Sequence, residues 1–72
     1  MYFMKSVSKL VPGDMIVWRG GSRVVGYSLI ISVVKTSDRH ISVGCVDVDR
    51  DQTAYIQTYK GWSLDGEVGV MK

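Results

Sequence analysis

The residues with most chemical reach in this chain are Cys45 and His40, since a thiolate beside an imidazole is a common nucleophilic pair. They lie five residues apart in a run, His40 to Val48, that reads as one strand. Side chains alternate faces along a strand, so an odd separation points the two in opposite directions. Cys45 is then a small core residue, the common fate of an unpaired cysteine. His40 is a side chain facing solvent or a partner. A second candidate, Asp47-Val48-Asp49-Arg50-Asp51, opens like a calcium loop. The full loop needs glycine at its sixth position and a bidentate glutamate at its twelfth. Gln52 and Thr58 stand there instead, and Arg50 sets a positive charge among the would-be ligands. The stretch reads as a polar hairpin turn whose charges blunt strand edges. No phosphate loop, zinc-ligand spacing or dinucleotide fingerprint occurs. The expectation is a protein that is not an enzyme and carries no catalytic residue, metal or cofactor.

Size and charge narrow the remaining classes. Seventy-two residues make one domain. A core this thin supplies only about 3–5 kcal/mol unless a disulfide, a metal or a partner chain adds to it. Cys45 has no partner for a disulfide, and a lone thiol suits a reducing compartment. Self-association is the supplement left. No apolar run approaches the ~20 residues of a membrane helix, and Met1 to Lys5 lacks the make-up of a signal peptide. The chain is therefore expected to be cytoplasmic, without a membrane partner. Its net charge is +2, unevenly spread. Lys5, Lys9, Arg19, Arg23, Lys35 and Arg39 face only Asp14 and Asp38 in residues 1–40. Arg50, Lys60 and Lys72 face Asp47, Asp49, Asp51, Asp65 and Glu67 in the remainder. Polarised charge concerns partners rather than fold.

The elements that must position these groups are strands. Helical periodicity is absent, and β-branched and aromatic runs are separated by glycine and aspartate clusters. Pro12-Gly13-Asp14 is a turn that opens a strand from Met15 to Trp18. After the loop 19–23, a long strand runs from Val24 to Lys35. In it Val25, Tyr27, Leu29, Ile31 and Val33 share a face, which alternation assigns to the core. Ile41, Val43 and Cys45 share a face of the next strand. Thr53 to Tyr59 is a fourth strand, Gly61 to Gly66 a tight helical turn, and Glu67 to Met71 a closing strand. Residues 1–9 form an N-terminal arm or edge strand, and 10–72 the domain proper.

Leu10-Val11-Pro12-Gly13-Asp14-Met15-Ile16 and the turn Gly61–Gly66 before a last short strand resemble an SH3-like small β-barrel. The opening is similar to that of KOW-type modules. The resemblance spans about residues 10–71 and implies an all-β, five-stranded barrel with a short helical turn before its last strand. A five-stranded OB-type barrel is the alternative fold. The acidic loop and aromatic pair by which SH3 domains hold proline-rich peptides have no counterpart here, so that activity is not implied.

In such a barrel Arg19, Arg23, Lys35 and Arg39 are expected at one end, with His40 and Trp18 nearby. Cations beside an aromatic plane are a common way to hold single-stranded nucleic acid or an acidic partner. The acidic turn 47–51 is expected at the opposite end, giving the molecule a dipole. The chain also carries more apolar residues than one core face uses. Met15, Val17, Ile30, Val34, Val46, Val48, Tyr55 and Tyr59 are left over. Ile30, Val34, Val46 and Val48, with Tyr55 and Tyr59, are the expected protein interface, because contiguous apolar patches are rare on monomers. The expected function is a non-enzymatic interaction module that binds a protein partner and self-associates as a homo-oligomer. Nucleic-acid binding through the basic cluster is the alternative. A small stand-alone protein of this kind also suits a viral or mobile-element accessory protein.

Overall fold

Residues of high strand propensity, punctuated by turn residues, fold as six strands joined by short connections. The computed structural model describes residues 2–49 and 52–71, so Arg50 and Asp51 of the acidic turn lie outside the described residues. The strands are β1 (Tyr2–Ser6), β2 (Met15–Gly20), β3 (Arg23–Ser37), β4 (His40–Asp47), β5 (Ala54–Lys60) and β6 (Glu67–Met71). Turns of 3-10 helix cover Val7–Lys9 and Gly61–Asp65. All strand pairs are antiparallel, in the order β1-β6-β2-β3-β4-β5. The all-β class expected from the sequence holds. The hydrogen-bonded sheet is open, and β1 and β5 are its edges. None of the described helices is long and apolar enough to cross a membrane.

The 15-residue β3 organises the sheet. Fully extended it would span roughly 50 Å, yet the longest dimension of the molecule is 31 Å. The strand therefore bends. Its first half pairs with β2 and its second with β4. The opening turn is anchored to the middle of β3, where Gly13 N–H donates to the Ile30 carbonyl and Ile30 N–H donates to the Asp14 carbonyl, both at 2.8 Å. Gly13 holds a φ of +99°, a value glycine adopts at no steric cost. The Asp14 carboxylate caps this corner, accepting from Lys5 Nζ at 2.7 Å and Val11 N–H at 3.1 Å.

The core face of β3 is the opposite of the one alternation suggests. Ser28 and Ile30 are 0% and 1% exposed, while Ile31 is 53% exposed and Val25 is exposed as well. A bulge between Ile30 and Ser32 leaves Ile31 without a partner in β4. One inserted residue shifts the face of everything that follows, and Val33 thereby returns to the core side. Of the five residues assigned inward, only Val33 packs against the buried cluster. The pattern misleads because both faces of β3 carry β-branched residues and the buried polar residue is hidden among them. The core itself collects Ile16 of β2, Ile30 of β3, Ile41, Val43 and Cys45 of β4, Tyr59 of β5 and Val70 of β6. Val7, Leu10 and Leu64 from the 3-10 turns and the segment between them close it.

The inverted core face yields a direct stability contrast. Ile30→Ala should cost about 2–5 kcal/mol, as large-to-small core changes do, which is most of what a domain this small has. Ile31→Ala should stay within about 0.5 kcal/mol, the usual range for surface changes. Urea unfolding of the two variants measures both. Equal losses would mean that Ile31 is buried as fully as Ile30.

Candidate functional site

Two hairpins that share a strand have their turns at its opposite ends, and this separates the expected basic cluster. Arg19 and Arg23 belong to the β2–β3 hairpin, whereas Lys35, Arg39 and His40 lie at the β3–β4 hairpin. The four cations do not converge. Arg19 is held over the Tyr2 ring, 5.4 Å from its centroid, and its guanidinium donates to the Tyr2 hydroxyl. The acidic turn is misplaced in the expectation too. Asp47 pairs with Ser28, and Asp49 Oδ1 accepts from Tyr27 N–H, so both join the half of β3 that carries the arginine hairpin. The expected dipole with acid and base at opposite ends is not formed.

The expected interface also divides. Ile30 and Tyr59 are core residues. Tyr55 is half-buried on the inner face, packed against the core. Val34, Val46 and Val48 remain on the outer face. They are joined by residues not foreseen there: Leu29, paired with Val46, and Ile56, opposite Gly44. Ile56 is 71% exposed. Cys45 is fully buried and His40 is half-buried at the far end of β4, so they do not meet. Among the described residues no group of three His, Cys, Asp or Glu side chains could hold a metal.

The register brings together a polar site that no local pattern announces. Ser28 faces inward from β3 beside Ile16 of β2 and Asp47 of β4. Its hydroxyl accepts from Trp18 Nε1–H at 2.7 Å and donates to Asp47 Oδ1 at 2.7 Å. The Tyr55 hydroxyl is also 2.7 Å away. A serine has one proton to give, and Asp47 takes it, so Tyr55 must donate. One hydroxyl thus orients an indole, a phenol and a carboxylate. Beyond it toward the β2–β3 hairpin a cavity of about 240 Å³ opens, lined by Trp18, Val25, Gly26, Asp47, Asp49 and Tyr55. Of these, Trp18 is one of the residues singled out from the sequence, but its neighbours are carboxylates rather than arginines. Ser28, Asp47 and Asp49 come into place only through strand register.

Burial raises the pKa values of the groups behind this site. The Cys45 thiol is pushed above its ordinary value first by desolvation and further by the Asp47 charge, with an opposing, smaller effect of the Tyr55 hydroxyl beside it. The Tyr55 and Tyr59 phenols are likewise raised, chiefly by desolvation. All three are therefore neutral at physiological pH, and Cys45 is a packing residue rather than a thiolate nucleophile. No protein-family model, curated protein or solved structure matches this chain.

Two outcomes are expected from these groups. Ser28→Ala strips partners from Trp18, Asp47 and Tyr55 together, and each orphaned buried polar group costs roughly 1–3 kcal/mol. The variant should unfold at clearly lower urea concentration and lose the Trp18 indole proton's distinct NMR shift. A loss below about 0.5 kcal/mol would contradict the hub. The second concerns pH. Groups whose folded pKa values are raised leave stability intact below their unfolded pKa values, and remove it as pH climbs toward the folded ones. Stability should hold flat through neutrality and fall above about pH 9. A thiol reagent should label Cys45 only as fast as the chain opens.

Proposed function

We propose that this chain is a non-enzymatic protein-interaction module, an SH3-like small barrel that associates with a second copy of itself through the β5 edge and the apolar outer face that runs up to it. The barrel reading is supported by strand order. Setting β1 aside, the closing β6 returns beside β2, the second strand is long and bent, and a 3-10 turn precedes the last. The interaction reading is carried by one observation, an outer surface whose exposed apolar side chains, set among small polar ones, reach an open sheet edge. Across the strands Leu29, Val46 and Ala54 form one row, Ser32, Gly44 and Ile56 the next, and Val34, Ser42 and Thr58 a third. In the middle row the Ser32 hydroxyl lies over Gly44, and Ile31 Cγ1 is 3.5 Å from where a Gly44 Cβ would stand. Ile31, Val34 and Ile56 are each more than half exposed around it.

A second copy suits this surface for reasons of edge chemistry and symmetry. Exposed edge strands are usually protected by charge, proline or a bulge. From Ala54 to Tyr59 the β5 edge has no charge and no proline, and its pairing with β4 is regular. A two-fold axis at Gln57 would pair β5 antiparallel with its copy, setting the two Ile56 side chains near one another. Lys60 then lies opposite Ala54 of the second copy, so the two cations stay apart. This is the isologous contact that closed dimers use. Phosphate binding by Arg19, Arg23, Lys35 and Arg39 has weaker support, since those cations are divided between the ends of β3.

Sedimentation velocity over a concentration series, at low and high salt, tests the proposal. Wild-type protein should dimerise at both salts, because apolar contact is not weakened by salt as phosphate contact is. Ile56→Lys should be monomeric, with the thermal stability that wild-type protein has when diluted below its dimerisation range. A wild-type monomer throughout, or binding of a single-stranded oligonucleotide that salt abolishes, would favour the nucleic-acid alternative.

A further inference from the structure

The cavity at the β2–β3 end of the inner face is a binding site of a different kind, and we infer that it takes a guanidinium group, an arginine side chain of a partner protein. Its walls are Trp18 and Tyr55, its acidic rim Asp47 and Asp49, and its volume about 240 Å³. Aromatic faces attract cations through their quadrupoles, more strongly where water is displaced. Two carboxylates beside them select for positive charge again. Among the described residues neither Asp47 nor Asp49 forms a salt bridge; the one present joins Lys5 to Asp14.

The carboxylates are already oriented. Asp47 Oδ1 is occupied by the Ser28 hydroxyl and Asp49 Oδ1 by Tyr27 N–H, and the second oxygen of each has no hydrogen-bond donor among the described residues. Asp49 Oδ2 lies over Gly26, 3.4 Å from where a Cβ would be, so the absence of a side chain at Gly26 keeps the rim open. A quaternary ammonium has no proton to offer these oxygens. A guanidinium has five N–H donors in a flat fork, and its plane stacks on an aromatic ring while its edge meets carboxylates. Trp18 and Tyr55 are prepositioned by their shared bond to Ser28, so little rotamer freedom is lost on binding. The pocket lies on the opposite sheet face from the proposed dimer surface, and either can fail without the other.

The two tryptophans supply the test. Trp18 lines the pocket, and Trp62, 85% exposed on the 3-10 turn, is a built-in control. Wild-type protein is titrated with N-acetyl-arginine methylamide, and with its neutral citrulline and cationic lysine counterparts, while both indole N–H resonances are followed. The arginine compound should shift Trp18 saturably in the millimolar range and leave Trp62 unmoved. Citrulline should give no shift, and the lysine compound should bind at least threefold more weakly. Asp49→Asn, which keeps an oxygen to accept from Tyr27, should weaken arginine binding about tenfold. Equal shifts from citrulline, a non-saturating response shared by both indoles, or tighter binding of the lysine compound would each overturn the assignment. The comparison of the three ligands uses wild-type protein alone, so it stands whether or not the variant folds.

Discussion

A serine hydroxyl has one proton to give and two lone pairs to receive with, and at Ser28 all three are used. It does so fully buried, where an unmade bond would be costly and a made one is strengthened by the low local dielectric. The consequences reach across three strands. Trp18 of β2, Asp47 of β4 and Tyr55 of β5 are fixed to one point on β3, and through Asp47 the acidic turn is drawn to the arginine hairpin. The inner face is therefore part oil and part wired polar network. Ile16, Ile30, Val43 and Val70 form the apolar part, and the mouth beyond Ser28 forms the other.

The second constraint is the length of β3. A strand too long for the molecule must bend, and bending lets a single strand pair with β2 along one half and β4 along the other. The bulge at Ile31 accompanies that passage. It also turns Ser32 and Val34, which unbroken alternation from Ile30 would point inward, to the outer surface beside Ile31. That surface, completed by Val34 of β3, Val46 of β4 and Ile56 of β5, is consequently a product of the bend. Core and outer face are two results of one backbone irregularity.

Much of the element layout was legible in the residues, because turns are local chemistry. Pro12-Gly13-Asp14 and Gly61–Gly66 mark their own positions, and every strand lies within a few residues of its expected place. The burial of Cys45 was legible for a similar reason, since Ile41, Val43 and Cys45 alternate cleanly. The faces of β3 were not. Valine and isoleucine occur on both sides of it, and an inserted residue has no signature in composition. The functional site was least legible. Grouping Arg19 and Arg23 with Lys35 and Arg39 overlooked that successive hairpins turn at opposite ends of their common strand. Trp18 was a sound choice with the wrong company, because register, which brings Ser28 and Asp47 to it, is set by contacts far apart in sequence.

The outer face of β3–β5 is the centre of this account, and its occupancy is best read at the strand that ends it. Amide hydrogen exchange of β5 should be followed as protein concentration is raised, with the β2 and β3 amides as internal references. Protection confined to β5, growing with concentration and absent in Ile56→Lys, is the predicted result. Exchange of the β5 amides that stays independent of concentration while the core strands are fully protected would contradict it.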